Sequence, residues 1–375
     1  GPRLWLHAGT RAGLQAAGRL VPVLRARFPE IQVILTVVSE AARTEAERDW
    51  GGEGVRVAYL PPDTPRAARR FLRWSRPDAA LCLGPGLWPN LARALARTGT
   101  PWTWLIPTVL PAPWRRARRL PCLYRPTLRR PAAVLLAREG DRDFLVGLGV
   151  PADRIAVAGN PLLDAPEPAP RRDARRLRGY LKGRPLLFFT DTEPGEEELF
   201  AGVCGQLPAP FTHWLMVLDS ADPRRGPELA ERMARFGLPA ALASRGDPLG
   251  PGTRVYVLDD PEQAPVLLAA SDMVVLGGTW IRGFAGADPL PAAAAGRPVI
   301  YGPYLGRHRE AVRALDEAGA AREVPNVNRL LATLRHWLQQ PGEAEATGRR
   351  SRELVAAHRG ARGRVADILG SDLGR

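Results

Sequence analysis

The amino-acid sequence predicts an α/β protein made of two Rossmann-like, doubly wound parallel-sheet domains that face each other across a cleft. Three observations support this prediction. Short apolar runs alternate with helix-period segments, a proline- and charge-rich stretch interrupts the alternation, and 375 residues can form two cores. We expect a first domain over residues 1–160, a linker over 161–172, and a second domain over 173–375 that includes the C-terminal helices.

The first half alternates strictly between short apolar runs and segments of helical periodicity. The predicted strands are Leu4–His7, Val33–Val37, Val55–Tyr59, Ala79–Leu83, Trp102–Ile106, Ala133–Ala137 and Ile155–Ala158. The predicted helices are Leu14–Arg27, Glu40–Trp50, Pro65–Trp74, Leu87–Arg97 and Asp141–Gly147. This alternation predicts a parallel sheet because parallel neighbours need long crossover connections, which are usually helices.

The stretch from Pro161 to Arg172 reads PLLDAPEPAPRR, a composition typical of an extended linker. The alternation then resumes. The predicted strands are Leu186–Phe189, Trp214–Leu218, Arg254–Leu258, Met273–Leu276 and Pro298–Tyr301. The predicted helices are Glu196–Cys204, Pro227–Phe236, Pro261–Ala269, Leu290–Ala295, Arg309–Ala318, Asn328–Gln339 and Glu343–Ala357.

The formal net charge is +14, and nearly all the positive charge is arginine, since Lys182 is the single lysine. One cluster combines arginines with aromatic and aliphatic residues between 114 and 130. Its arginines are Arg115, Arg116, Arg118, Arg119, Arg125, Arg129 and Arg130. Two interpretations of this cluster stay open. In the first, the arginines contact an anionic membrane or a phosphorylated lipid; in the second, they form a solvated face. No nucleic-acid-binding motif accompanies the arginines, so we expect no nucleic-acid partner.

Three scattered cysteines form neither a disulfide framework nor a zinc site, which favours a reducing, cytoplasmic setting. No histidine stands at a metal-ligand spacing from another candidate, and we expect no metal and no cofactor. No run reaches the ~18 apolar residues of a membrane span. The chain begins at Gly1-Pro2, so the sequence leaves open whether an N-terminal anchor has been removed.

Five groups of residues, in order along the chain, carry a family resemblance. They are Tyr59-Leu60-Pro61-Pro62-Asp63; Leu87-Trp88-Pro89-Asn90; Gly159-Asn160 with Asp164; Thr192 with Gly195-Glu196-Glu197-Glu198; and Gly277-Gly278 with Pro289-Leu290, Gly296-Arg297-Pro298 and Gly302-Pro303. Together they resemble the bacterial 3-deoxy-D-manno-octulosonic acid (Kdo) transferases. That family moves Kdo from CMP-Kdo onto a lipid A precursor and has the two-domain GT-B fold. The resemblance implies a protein peripheral to the cytoplasmic face of a bacterial inner membrane.

The same resemblance implies that several chemical groups of the family are replaced. Its opening motif H-A-A-S-V-G-E corresponds to residues 7–13, so Gly13 stands where the family has its base, a glutamate. The triplet E-T-E corresponds to residues 84–86, Gly-Pro-Gly. Other family positions are occupied by Leu162, Ser220, Ala221, Asp222, Asp191, Glu193, Ala287, Asp288 and Pro291. A missing general base typically costs ~10²–10⁴ in rate, so we assign no catalytic residue.

The remaining candidates fall into two groups. The donor-side candidates are Thr192, Gly195, Glu196, Gly277, Gly278, Arg282 and Asp288. The acceptor-side candidates are His7, Arg11, Trp88, Asn90, Arg115, Arg116 and Arg119. Structural roles stay open for several of them. The His7 ring can form its hydrogen bonds with backbone groups, Asp288 can cap a helix, and the acidic run at 196–198 can be the start of a helix.

Three functions follow from these observations. The first is a degenerate family member that has lost transfer from CMP-Kdo and keeps a binding role toward anionic lipid. The second is an active glycosyltransferase with another nucleotide-sugar donor. The third is an interaction subunit of an envelope-assembly complex. The sequence gives no oligomeric state.

Overall fold

A computed structural model of the chain describes residues 1–51, 54–84, 86, 88–106 and 121–374, with side chains from 124 onward in the last range. The chain forms two compact units. The first contains Gly1–Asp164 and His358–Arg375, and the second contains Ala165–Ala357. The predicted α/β class with two parallel sheets is confirmed.

The first unit contains a seven-stranded, all-parallel sheet in the order β3-β2-β1-β4-β5-β6-β7. The strands are β1 Arg3–Ala8, β2 Gln32–Val37, β3 Val55–Tyr59, β4 Ala79–Leu83, β5 Trp102–Ile106, β6 Ala133–Leu136 and β7 Ile155–Val157. The strand order reverses between β1 and β4. In open α/β sheets ligands bind beside such a reversal, at the carboxyl ends of the strands.

Helices cover both faces of this sheet and explain why its central strands are mainly apolar. They are α1 Arg11–Arg27, α2 Glu40–Trp50, α3 Pro65–Ser75, α4 Pro89–Thr98, α5 Pro121–Leu128 and α6 Arg142–Leu148. Strand β4 reads AALCL and is buried along its whole length. On one face, α1 contributes Leu14, Leu20 and Leu24 to the core, whereas α3 and α4 pack on the other face.

The second unit repeats this architecture, with the strand order β10-β11-β9-β8-β12-β13-β14. Its strands are β8 Leu186–Thr192, β9 Leu215–Ser220, β10 Ala240–Leu242, β11 Val255–Leu258, β12 Met273–Leu276, β13 Val299–Tyr301 and β14 Ala321–Glu323. Its helices are α7 Arg171–Leu181, α8 Glu196–Gly205, α9 Gly226–Arg235, α10 Ala264–Ala270, α11 Leu290–Ala294, α12 Arg309–Glu317, α13 Val327–Gln339 and α14 Pro341–Ala356. The order reverses between β8 and β12. The sequence did not predict β10 and β14, which are three residues long and lie at the sheet edges.

The boundaries at the predicted linker and at the C-terminus differ from expectation. Residues 161–163 form a 3-10 turn, and α7 already begins at Arg171. The last helix, α15 (Ala361–Leu373), belongs to the first unit rather than the second. The Asp164 carboxylate accepts hydrogen bonds from the backbone nitrogens of Gly360 and Arg362, both at 2.7 Å, and thereby fixes the start of this segment.

Apolar burial completes the attachment of α15. Val365, Ala366 and Leu369 are fully or almost fully buried and lie in the same core cluster as the apolar face of α1. Burying such side chains contributes about 1.5–3 kcal/mol each for valine and leucine. The helix is therefore part of the core of the first unit, although the chain reaches it from the second unit.

Candidate functional site

Each sheet has one strand-order reversal, and most of the predicted site residues that the structure describes lie beside these two positions. In the first unit the position lies at the carboxyl ends of β1 and β4, which lead to Gly9 and Gly84. In the second unit it lies at the carboxyl ends of β8 and β12, which lead to Glu193 and Gly277. We describe the two positions separately.

His7 is the penultimate residue of β1 and is only 2% exposed. Its Nδ1 lies 3.2 Å from the carbonyl oxygen of Thr36 and 3.0 Å from the Thr36 hydroxyl. A carbonyl oxygen can only accept, so this geometry places the proton of the neutral ring on Nδ1. Nε2 then carries a lone pair, and it has no hydrogen-bond partner within the described chain. Burial lowers the pKa of His7 to about 4, so the ring is neutral at physiological pH.

The space beside Nε2 is kept open by a glycine. A Cβ atom at Gly9 would lie 3.2 Å from His7 Nε2. The indole of Trp88 closes another side, edge-on to the imidazole with ring centroids 5.5 Å apart. The Trp88 Nε1 is also buried without a hydrogen-bond partner in the described residues. The structure thus brings together two predicted acceptor-side residues, His7 and Trp88.

The first turn of α1 packs tightly against the end of β4. Thr10 caps the helix, with its hydroxyl accepting a 3.0 Å hydrogen bond from the Gly13 backbone nitrogen. A Cβ at Gly13 would lie 2.9 Å from the carbonyl oxygen of Leu83, closer than such contacts normally come. Gly84 follows with φ +104°, a conformation that favours glycine. Any side chain at position 13 therefore requires the helix or the strand end to move.

Asn90, another acceptor-side candidate, has a structural role. The Asp63 carboxylate accepts hydrogen bonds from the backbone nitrogens of Asn90 at 3.2 Å and Leu91 at 2.9 Å. The Asn90 side chain in turn donates to the Asp63 carbonyl at 2.7 Å. These bonds satisfy the free N–H groups at the start of α4. Two of the sequence motifs, at 59–63 and 87–90, thus form one helix cap.

The arginine candidates of the first unit have different surroundings. Arg11 lies in the first turn of α1 with half of its side chain exposed, and it forms a 3.5 Å ion pair with Glu45. Arg115, Arg116 and Arg119 lie outside the described residues.

In the second unit, Glu196 joins two motifs. Its side chain is fully buried and accepts hydrogen bonds from the backbone nitrogens of Gly278 at 2.7 Å, Trp280 at 3.0 Å and Glu193 at 3.1 Å. Burial raises the pKa of Glu196, whereas the three hydrogen bonds favour the charged form and act in the opposite direction. The carboxylate of this predicted donor-side residue is thus bound by backbone N–H groups. It holds the loop after β12 against the start of α8.

The glycines of this position allow close backbone approach. A Cβ at Gly277 would lie 2.5 Å from the carbonyl oxygen of Asp191, and Gly278 has φ +62°. Gly195 has φ +95° and directly precedes α8. Thr192 is buried, and its hydroxyl donates to the Asp219 carbonyl at 3.3 Å. These four donor-side candidates therefore serve the conformation and close packing of the backbone.

Acidic groups surround the end of β8. Burial raises the pKa of Asp219 to about 7, with a further contribution from the charge of Asp191. Asp191 is an exposed residue with φ +47°. Desolvation of its carboxylate by the surrounding protein raises its pKa, and the negative charge of the nearby Asp288 raises it further. Asp288 Oδ1 accepts from the Leu290 backbone nitrogen at 3.1 Å and lies 3.9 Å from His308 Nδ1. Asp288 thus does cap the segment leading into α11.

Sequence reasoning missed Asp219. The signal was present, because an apolar strand, LMVLDS, ends in a carboxylate beside the strand-order reversal. The remaining candidate, Arg282, lies over the ring of Tyr304, with its guanidinium carbon 5.1 Å from the ring centroid. This is a cation–π contact.

The described part of the chain shows neither a metal cluster nor a membrane-spanning helix. It contains no group of three or more His, Cys, Asp or Glu residues arranged to hold a metal ion. Within the same residues, each helix is too short or too polar to cross a bilayer.

Comparison with known proteins gives consistent matches over the whole chain. A family profile described as 3-deoxy-D-manno-octulosonic-acid transferase (kdotransferase) matches residues 1–165. The 3-deoxy-D-manno-octulosonic acid transferase of Bordetella pertussis is 31% identical over 380 residues, covering 99% of this chain and 87% of that protein. The protein of the same name from Haemophilus influenzae is 23% identical over 373 residues, covering 98% and 86%.

A solved structure supports the fold. The crystal structure of MurG from Acinetobacter baumannii matches with a TM-score of 0.51 and 12% identity, over 99% of this chain and all of that chain. At this identity the similarity concerns the fold alone.

Proposed function

The chain belongs to the 3-deoxy-D-manno-octulosonic acid transferase family of GT-B glycosyltransferases, and we propose that it is a degenerate member that binds family ligands without transferring Kdo from CMP-Kdo. In this proposal the nucleotide sugar occupies the second unit at the β8/β12 position. A phosphorylated, lipid A-like acceptor occupies the first unit at the β1/β4 position. The binding role then concerns lipopolysaccharide and lipid A assembly.

The observation that carries the proposal is the packing at Gly13, the position that the sequence resemblance aligns with the family's glutamate. A base at this position must reach the acceptor hydroxyl from the first turn of α1. The 2.9 Å approach of a Cβ to the Leu83 carbonyl oxygen leaves no room for a side chain in this arrangement. The first turn of α1 therefore packs in a way that only glycine allows. This supports a loss of the carboxylate to which the surrounding structure has adapted.

The donor side retains residues of the family motif, which supports the binding part of the proposal. A nucleotide phosphodiester is usually held by helix N-terminal amides together with cationic side chains. Glu196 already accepts from three backbone nitrogens around α8 and its facing loop. Glu197, fully buried, pairs with Arg225 at 2.8 Å and so engages the nearby cation. Glu196 and Glu197 match the family motif, and they stabilise the loop at which the nucleotide sugar binds in this proposal.

We assign the protein to the cytoplasmic face of the inner membrane in this proposal. The support is the arginine cluster at 114–130, whose Arg115, Arg116 and Arg119 can pair with lipid phosphates. The oligomeric state does not enter the proposal.

Two assays on the whole chain test the proposal. Thermal unfolding with CMP or CMP-Kdo should show stabilisation, about 2.7 kcal/mol at 100 times Kd, since ligand binding favours the folded state. Incubation with CMP-Kdo and lipid A precursor should give no Kdo-modified lipid. Gly277→Ala should remove the stabilisation, because its Cβ would meet the Asp191 carbonyl at 2.5 Å, whereas Gly202→Ala has open space and serves as the control. Kdo transfer by the unmodified protein would refute the proposal.

A second candidate, an active glycosyltransferase with another nucleotide-sugar donor, is favoured by one observation. The unprotonated Nε2 of His7 has no partner in the described residues and faces the space left by Gly9. There it could accept the proton of an acceptor hydroxyl whose oxygen attacks the anomeric carbon while the nucleoside diphosphate departs. Stabilisation by UDP or GDP but not CMP, with product formation abolished in His7→Asn, would select this candidate.

A further inference from the structure

A strongly basic surface lies on α3 and α4 of the first unit, away in sequence from the 114–130 cluster. We call it the α3–α4 arginine face. It consists of Arg66, Arg69, Arg70, Arg73, Arg76, Arg93 and Arg97. All seven residues are exposed, and none forms an ion pair with an acidic residue in the part of the chain that is described.

Helical geometry explains how four of these arginines form one stripe. At 100° per residue, positions 66, 69, 70 and 73 of α3 fall on the same side of the helix. The opposite side carries Ala68, Phe71 and Leu72, which are buried in the core. Since core burial fixes the apolar side of α3, the arginines must point to solvent.

The neighbouring helix extends the stripe into a groove. Arg66, Arg69, Arg70 and Arg73 of α3 line it together with Arg97 near the end of α4. Its volume is about 980 Å³, and the single acidic residue among its lining is Asp78. The Asp78 carboxylate accepts a 2.7 Å hydrogen bond from the backbone nitrogen of Arg3. The groove therefore concentrates positive charge with little compensation from the protein itself.

An aromatic side chain flanks the stripe. Trp74 is 50% exposed, an unusual amount for the largest apolar side chain, while its ring contacts Phe71 at a centroid distance of 5.8 Å. The core contact holds the indole at the surface beside Arg70 and Arg73. Tryptophan next to arginine is the pairing that proteins place at the boundary between headgroups and acyl chains.

The geometry points to the α3–α4 arginine face as a docking surface for an anionic phospholipid membrane. Headgroup phosphates enter the groove and pair with the guanidinium groups, which bind phosphate bidentately, and Trp74 enters the interfacial layer. A membrane fits better than a nucleic acid, because the groove lining contains no aromatic side chain on which bases could stack. The inference depends on neither donor binding nor transfer.

Vesicle sedimentation with the whole chain tests this inference. The probes are vesicles of phosphatidylcholine alone and of phosphatidylcholine with an equal share of phosphatidylglycerol. The unmodified protein should bind the anionic vesicles and lose binding as salt rises. Arg69→Gln, Arg70→Gln and Arg73→Gln together should lower binding by about 100-fold, since each basic residue near an anionic surface contributes about a fivefold effect.

A matched control separates this surface from total charge. Arg171, Arg175 and Arg176 of α7 are also exposed, and the described residues offer them no acidic partner. Their triple exchange to glutamine removes the same charge and should leave vesicle binding within about threefold, because they lie off the docking surface. Trp74→Ala should weaken anionic-vesicle binding at low salt, because it removes the indole from the interfacial layer. Circular dichroism checks that each variant is folded.

Three results would overturn the inference. One is an equal loss in the α3 and α7 variants, which would indicate a general charge effect. Another is unchanged vesicle binding in the α3 variant, which would place docking elsewhere. The third is binding to single-stranded DNA that depends on these arginines while anionic vesicles are not bound.

Discussion

The carboxylate of Glu196 lies 2.7 Å from the backbone nitrogen of Gly278, 82 residues further along the chain. This contact links the start of α8 to the loop that follows β12, and it is reinforced by the bond to the Trp280 nitrogen. The two sequence motifs that contain these residues are therefore joined by hydrogen bonds into one local structure within the second unit. Its role is to hold a glycine-rich loop in a fixed position.

Exchange of Glu196 for glutamine should destabilise the second unit. The amide group would point an N–H donor at backbone donors, leaving at least one buried group unsatisfied. We expect a loss of about 3 kcal/mol in the free energy of unfolding, measured by urea denaturation. Glu262→Gln, at an exposed position, should change it by less than about 0.5 kcal/mol. Equal stability of the two variants would contradict the structural role.

Gly13→Ala should destabilise the first unit despite the higher helix propensity of alanine. Its Cβ would lie 2.9 Å from the Leu83 carbonyl oxygen, so we expect a net loss of about 1–2 kcal/mol. In Gly202→Ala, where no atom lies within 4 Å of the new Cβ, we expect a gain of up to about 1 kcal/mol. Thermal or urea unfolding measures both. A gain at both positions would mean that α1 can move away from β4.

His7 should make stability depend on pH in a defined window. Its folded-state pKa of about 4 lies below the unfolded value of 6.5, so the unfolded chain binds the proton first as pH falls. Stability should decrease between these values, by about 3 kcal/mol from this group, and level off below the folded pKa. The difference between the unmodified protein and His7→Asn isolates the contribution. An imidazole resonance of His7 titrating near pH 6.5 would disprove the assignment.

Asp219 should act in the opposite direction. Its folded-state pKa, about 7, lies above the unfolded value of 3.8, so the folded protein holds the proton through this interval. The stabilisation is present at low pH and is lost as pH rises through about 7. Asp219→Asn should therefore be more stable than the unmodified protein above about pH 8 and similar to it near pH 4. Asp153→Asn, at an exposed position, should follow the unmodified curve.

The periodic elements were predictable because they depend on local sequence. Buried runs such as β4 and β12 are apolar throughout, and glycines marked places where backbone approaches backbone. Of the helices that were missed, α15 has an apolar side with Val365 and Leu369, whereas α5 and α7 lack this signal. The apolar side of α7 is reduced to residues such as Ala174 and Leu181 among many arginines, and α5 contains Pro126 in its interior.

The candidate site was harder to predict because its contacts join distant residues. Glu196 and Asn90 were proposed as ligand-binding groups, whereas each proves to hydrogen-bond to backbone. Side-chain type and position gave no information on which partner would satisfy them. The same limit concealed the unpartnered Nε2 of His7, since the sequence cannot show that Thr36 fixes its tautomer.

The position of α15 has a consequence for biosynthesis. Its residues 361–373 complete a core whose strands β1 to β7 have been synthesised roughly two hundred residues earlier. The apolar surface of the first unit that α15 covers therefore stays exposed until the second unit has been translated. Domains usually fold as they emerge from the ribosome. The first unit is thus synthesised first but completed last. We expect chaperones to bind its exposed apolar surface until α15 has been made.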